Sequence, residues 1–230
     1  MSRSRGLAAS VGRRLAPKVT GLAPEASASF VREALDRAIH GVGPLPGAAR
    51  AAEEQLREHD GDVEKAVHDV IENHVRYAGA QGFLTNLGGL VTTAVTAPVN
   101  AAGLALVQCR MVAAIAHLRG YDLDDRRVQN AVLACVLGES TVDAMVKDKT
   151  LPAPPMALAT APATDPTLDQ RIGTAVATDL VSRMAGKRLA VTVGRRVPVV
   201  GGVVGMGADG FATWRVGRYA DRELLPRTTR

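Results

Sequence analysis

The stretch VVGGVVGMGADG, Val199 to Gly210, decides whether this chain is read as α/β or as all-α. Its last six residues spell G-x-G-x-x-G behind an apolar run, the pattern of a strand-to-helix turn that cradles a dinucleotide. That turn also needs a second strand about 20 residues further on, with an acid for the ribose. Only 20 residues follow Gly210. A helix takes at least half of them, and the remainder, ELLPRTTR, is a basic tail containing proline. No strand–helix alternation precedes the stretch either, so the nucleotide reading fails. The same glycines serve a helix instead. Gly201 and Gly205 are four apart, a small-xxx-small pair that lets helix backbones approach closely. Each glycine inside a helix costs about 1 kcal/mol relative to alanine, a cost that close contact offsets. Gly88 and Gly89 are expected to pack in the same way. Asp209, the first charge after Arg196, is expected to cap a final helix near 209–223.

One alternative stays open beside this stretch. Leu189, Val191 and Val193 alternate, so RLAVTVGRRVPVV, residues 188–200, reads as helix or as a two-stranded hairpin. Helix is preferred because the rest of the chain offers no strands to pair with.

Composition supports the helical reading. Hydrophobic residues make up 47% of the 230, aromatics only 3%, and the apolar weight is alanine, valine, leucine and glycine. So few aromatics leave little on which to stack bases, which argues against a single-stranded nucleic-acid platform. The net charge of +5 is unevenly placed: residues 1–18 carry +5, residues 19–180 carry −7 and residues 181–230 carry +7. Two basic ends around an acidic middle suit an anionic membrane, or else internal charge pairing. Cys109 and Cys135 sit in apolar helical contexts without a CxxC or a nearby histidine, and are expected to be buried free thiols of a cytoplasmic protein. Arg13, Arg14 and Pro17 interrupt the N-terminal stretch before any signal-peptide core forms.

Along the chain, Leu7, Val11 and Leu15 mark a small basic amphipathic helix near 3–16. Pro24 opens a stronger helix that Gly41 ends, and GVGPLPG, residues 41–47, is a connector. Helices near 48–58 and 62–77 follow, with Asp62 as N-cap of the second. From Tyr77 to Cys109 there is no charged residue. The run exceeds the roughly 20 apolar residues that cross a bilayer, but it holds Gln81, Asn86, Asn100 and Gln108, and Pro98 interrupts it. It is read as two helices, 83–94 and 98–119, with Pro98 in the first turn of the second. Such a hairpin suits a buried core or a segment able to enter a membrane, and both readings stand. Further helices are expected near 125–137, capped by Asp124, near 139–148 and over 167–194, with 150–166 as a proline- and alanine-rich loop.

No motif carries chemistry through. Glu64, His68 and Glu72 share one helix face at a spacing that can hold a divalent ion, but salt bridges on a solvated face explain it as well. Asp60, Asp62 and Glu64 imitate the start of a calcium loop, yet Lys65 and Ile71 occupy the positions that need glycine and glutamate. There is no G-x-S-x-G nucleophile turn. No catalytic residue, metal or cofactor is expected.

One long segment, NLGGLVTTAVTAPVNAAGLALVQCRMVAAIAHLRGYDLDDRRVQNAVLACVLG from Asn86 to Gly138, resembles the EcsC protein family. Gly88-Gly89, Pro98, the helix with Gln108, Arg110, Ile115 and Ala116, and Gly120-Tyr121-Asp122-Leu123 carry the likeness. A second block, Val197-Pro198-Val199-Val200-Gly201-Gly202 through Gly205, then Thr213 and Ala220, is similar to the family's late glycine-rich segment, although Asp209 stands where Asn is more usual there. The likeness covers roughly residues 25–225 and leaves out the basic arm. It implies a bacterial, helical, membrane-associated protein of a mostly uncharacterised family whose name comes from a gene beside an ABC transporter, with no catalytic residues to carry over.

The expectation is one compact all-α domain over 21–225, behind a basic arm at 1–20, flexible or amphipathic, and before a basic tail at 226–230. The expected role is non-enzymatic: association with membrane lipid at the inner face of the plasma membrane, or an acyl chain held in an apolar interior lined by Leu87, Leu90, Val91, Val95, Val99, Leu104 and Val107. Arg3, Arg5, Arg13, Arg14 and Lys18 would add attraction to anionic lipid, about 1 kcal/mol each. Two other roles remain beside it: an adaptor for a membrane transporter or GTPase, and a membrane-inserting effector. Nucleic acid is not an expected partner.

Overall fold

The computed structural model describes residues 24–42, 45–87, 93–163, 165–193 and 198–227, and the structural statements below concern these. They form helices α1 (Pro24–His40), α2 (Ala48–Glu58), α3 (Val63–Leu87), α4 (Thr93–Leu118), α5 (Arg126–Leu137), α6 (Glu139–Lys147), α7 (Pro155–Ala159), α8 (Pro166–Val193) and α9 (Pro198–Glu223). The only extended pairing among them is a two-residue antiparallel bridge within the 41–47 connector, β1 (Gly41–Val42) with β2 (Leu45–Pro46).

Local chemistry explains most of the boundaries. Asp62 caps α3, its Oδ1 accepting from the Lys65 amide at 3.1 Å. Gly120 ends α4 at φ +81°, where a side chain would be strained. The Gly120 amide donates to the His117 carbonyl at 2.9 Å and the Tyr121 amide to Ala116 at 3.0 Å, the paired bonds of a Schellman ending.

The all-α reading holds, and some boundaries move. The α3 helix runs unbroken to Leu87, so of the helix expected at 83–94 residues 83–87 end α3 and 93–94 open α4, while 88–92 lie outside the described residues. The α4 helix starts at Thr93, which puts Pro98 in its second turn instead of its first. The missing proline N–H costs one bond there, a defect that surrounding packing has to offset. The cap of α5 is Asp125, which accepts from the Arg127 amide at 2.8 Å, not Asp124. Within the 150–166 loop, α7 forms a short helix that buries Leu158 and Ala159. Residues 188–193 are helical and α9 begins at Pro198, so the hairpin alternative for 188–200 falls away. Asp209 does not cap: α9 is continuous from Pro198, and Asp209 lies within it on the buried side. The candidate helix at 3–16 lies outside the described residues.

The core is one cluster centred on α4 and α5. Met111 through Ala116 are all buried, so α4 is enclosed on every side by α1, α2, α3, α5 and α9. Asn130 through Leu137 of α5 are buried as well. Both cysteines are buried free thiols, as expected from their apolar neighbours.

Candidate aromatic and arginine face on helices three and nine

Among the described residues α3 and α9 share the most extensive helix–helix contact, and small residues set its geometry. Ala66, Val67, Val70, Ile71 and Ala78 face inward on α3 at three- and four-residue steps. Opposite them α9 presents Gly210, Thr213, Gly217 and Ala220. A Cβ on Gly217 would stand 3.0 Å from both branches of Ile71 and 3.2 Å from the Met111 sulfur. One on Gly210 would meet Val75 at 3.6 Å and Gly79 at 4.0 Å. As α3 ascends from Ile71 to Gly79, α9 descends from Gly217 to Gly210, so the two helices are antiparallel. Gln108 of α4 donates from Nε2 to Thr213 Oγ1 at 3.3 Å, both side chains fully buried.

The register places three changes of character at one height. On α3, Arg76 is the last charge and Tyr77 follows it. On α4, Arg110 is the first charge after the uncharged run, within electrostatic reach of Tyr77 and His74. On α9, the outward stripe runs Gly207, Phe211, Trp214, Arg215, Arg218, Arg222, changing from uncharged to aromatic to basic. Tyr77 is 64% exposed, Phe211 60% and Trp214 46%. Trp214 is the only tryptophan in the chain. Phe211 and Trp214 stack with their centroids 5.9 Å apart. A chain with 3% aromatic residues thus leaves three of its largest rings facing outward at one level.

Beside this stripe lies an open groove of about 530 Å³, with a floor of Ile71 and Val75, Trp214 as a wall, and His68, Glu72, Arg76 and Arg218 around it. Glu72 bonds Arg76 at 2.5 Å and His68 at 3.2 Å. His74, one turn before the groove's edge, has its ring pushed down to about 4 by burial, with Arg110 adding to the effect. Its Nδ1–H donates to the Val70 carbonyl at 2.7 Å, which anchors the ring to its own helix and offsets part of the lowering that burial causes.

Below this level the bundle is fastened by charge. Arg119, buried at the end of α4, donates to Glu64 of α3 from both Nη1 and Nη2, the latter at 3.0 Å, and to Asp221 of α9 at 2.8 Å. The guanidinium holds the Glu64 carboxyl below its ordinary range. The chain end is tied to the same place. The Arg227 amide donates to the Arg119 carbonyl at 2.9 Å, and the Tyr121 hydroxyl donates to the Leu225 carbonyl at 3.0 Å. A second cluster joins α1, α5 and α8: Arg32 donates to Asn130 and to the Asp169 carbonyl, and Asn130 donates to Asp169 Oδ1 at 2.7 Å.

The residues expected to act fare unevenly. Leu104 and Val107 are half-buried on α4. The side chains of Leu87, Val95 and Val99 and the surroundings of Gly201 and Gly205 lie outside the described residues, although their backbones are helical. Gly88, Gly89, Leu90, Val91, Arg3, Arg5, Arg13, Arg14 and Lys18 lie outside them altogether. Glu64 is engaged by Arg119, and Glu72 by Arg76 and His68, which is the salt-bridge reading of that helix face. Among the described residues no group of three or more His, Cys, Asp or Glu is placed to hold a metal ion. Burial pushes the Cys109 thiol up to about 12 and Cys135 well above its usual value, so both are protonated at neutral pH. Sequence reasoning missed Gly217 and the aromatic stripe. The small-residue spacing Gly210, Thr213, Gly217 and the spacing Phe211, Trp214, Arg218 were the signals that marked them.

No helix among the described residues is long and apolar enough to cross a membrane. In comparison with known families, the sequence model described as the EcsC protein family matches residues 1–227. The match takes in the basic arm, which the likeness over 25–225 had left out. Searches of curated proteins and of solved structures return no match.

Proposed function

The chain belongs to the EcsC protein family, and from that premise and the outward aromatic rings we propose that it is a non-catalytic protein that associates with the surface of an anionic membrane through α3 and α9. The observation that carries this reading is the exposure of Tyr77, Phe211 and Trp214 at one height, beside Arg76, Arg215 and Arg218. Tyrosine and tryptophan favour the boundary between headgroup and acyl chain, where one end of the ring is apolar and the other wet. Arginines beside them meet anionic headgroups at about 1 kcal/mol each. The net charge of +7 over residues 181–230 adds to that attraction.

Vesicle cosedimentation tests the reading. The protein should pellet with vesicles of phosphatidylcholine containing phosphatidylglycerol and remain in solution with phosphatidylcholine alone at moderate salt. Each aromatic side chain moved out of water contributes about 1.5 kcal/mol or more. The double variant F211S/W214S should therefore bind at least roughly tenfold more weakly while keeping its helical circular-dichroism spectrum. Failure of the native protein to pellet with anionic vesicles would overturn the proposal and leave the adaptor role as the better account.

A further inference from the structure

Among the described residues, four arginines are buried or half-buried: Arg32, Arg110, Arg119 and Arg127. Three of them meet a carboxylate. Arg32 meets Asp169 at 3.4 Å, Arg119 meets Glu64 and Asp221, and Arg127 meets Asp125. Arg110 meets none among the described residues. Its Nε is buried and has no hydrogen-bond acceptor. Tyr77 of α3 and Glu54 of α2 act on its charge only from beyond ion-pair distance, and burial holds the guanidinium below its ordinary value. A cation drawn out of water loses hydration that only an opposite charge or an acceptor restores. A bundle that pairs its other three such arginines leaves this one open to an anion from outside.

We infer that Arg110, His74 and Tyr77 form a binding site for a phosphate group at the edge between α3 and α4. His74 and Tyr77 are three apart on α3, which puts them on one face of that helix. The Arg110 charge acts on both from α4. Tyr77 is 64% exposed, so solvent reaches this edge. His74 spends Nδ1 on the Val70 carbonyl, which leaves Nε2 for a ligand. The guanidinium offers a planar fork of donors, and the phenol and a protonated imidazole add one each. A phosphate has oxygens enough to accept from all three, whereas the two oxygens of a carboxylate are matched by the arginine fork alone. Binding also carries a proton. Outside its own helix, the charged groups packed around this part of α3 are Arg110 of α4, Glu54 of α2 and Asp209 on the buried side of α9. Of these, Arg110 is the one whose charge acts on the His74 ring, and it disfavours protonation there. A phosphate beside Arg110 cancels that effect and draws a proton onto His74.

The site stands independently of the membrane reading above, and its phosphate has two sources: a phospholipid headgroup or a soluble phosphate. The native protein is titrated at constant ionic strength with inorganic phosphate and, separately, with dihexanoyl phosphatidylglycerol below its micelle concentration. Proton NMR follows the His74 ring, its signal assigned through His74→Gln. Ligand should move that signal saturably and raise the ring's pKa from about 4 towards the ordinary 6.5. Arg110→Gln should lose the response while the His59 and His117 signals titrate as in the native protein. If that variant folds poorly, Arg110→Lys should keep only part of the response, because an ammonium lacks the fork. Glu54→Gln removes the acid that faces Arg110 and should strengthen it. A stronger response to the short-chain lipid identifies a headgroup, and a stronger response to inorganic phosphate identifies a soluble ligand. No response to either, or a response that survives Arg110→Gln, overturns the site. A response in a protein that ignores anionic vesicles leaves the site standing and defeats the membrane reading. Pelleting with vesicles and no response does the converse.

Discussion

At the residue scale, the side chains that matter most to stability are polar groups held inside a largely aliphatic protein. Arg119 is 6% exposed and shares its guanidinium between Glu64 and Asp221, joining three helices through one group. Removing it leaves Asp221, itself mostly buried, without that partner. Arg119→Met should lower unfolding stability by about 2–4 kcal/mol in urea titrations, and Arg119→Lys should recover only part, because an ammonium cannot serve the two carboxylates in the same planar geometry. His74 gives a pH dependence of known sign. Its folded pKa is lowered from 6.5 to about 4, so the native state prefers the neutral ring. As pH falls below 6.5, the unfolded chain takes up the proton first. The contribution is therefore complete above 6.5 and lost as pH falls towards 4, on the order of 2 kcal/mol across the window for a half-buried ring. His74→Gln should flatten the pH dependence of the urea midpoint over that range, relative to the native protein.

At the element scale, the glycines of α9 divide by surroundings. Gly217 is pressed against Ile71 and Met111. Gly217→Val would push branched carbons into well-packed neighbours and should cost about 1–3 kcal/mol of stability. Gly207 is exposed, within the helix, and a Cβ there would meet nothing within 4 Å. Gly207→Ala should raise stability by up to about 1 kcal/mol through helix propensity alone. Thermal or urea unfolding of the two variants checks both signs. Sequence reasoning located the helix that holds these residues but not the difference between them. The GMGADG run drew attention to the start of α9, whereas the tightest described contact comes later, in the less conspicuous WRVGRY. Propensity is the same at both glycines. What differs is whether another helix passes there, and nothing within α9 encodes that.

At the scale of the whole molecule, charge is layered along the α3–α9 axis, and vesicle binding should report the layering. Arg76→Gln with Arg215→Gln removes two cations from the aromatic level. About 1 kcal/mol each predicts roughly fivefold weaker binding per residue to vesicles containing phosphatidylglycerol. Added salt should weaken the native protein more than this double variant, since fewer charges remain to be screened. The F211S/W214S variant should instead keep the native salt dependence and lose the apolar contribution. A titration of binding against salt for all three proteins separates the two terms.

The sequence alone determined the helical class, the uncharged character of residues 77–109 and the burial of both cysteines. These follow from composition, local periodicity and caps such as Asp62 and Gly120, whose physics acts within a turn or two of chain. Tertiary structure alone decided that Arg76 and Tyr77, Arg110, and Phe211 with Trp214 share one height. Those residues come from segments as much as 138 positions apart, and their alignment depends on the sliding register of α3 against α9. That register is set by Ile71 against Gly217 and by the bonds from Arg119 to Glu64 and Asp221. Side-chain patterns state which face of a helix is buried, but register along the axis is a property of the pair, and it exists only once the two helices have met.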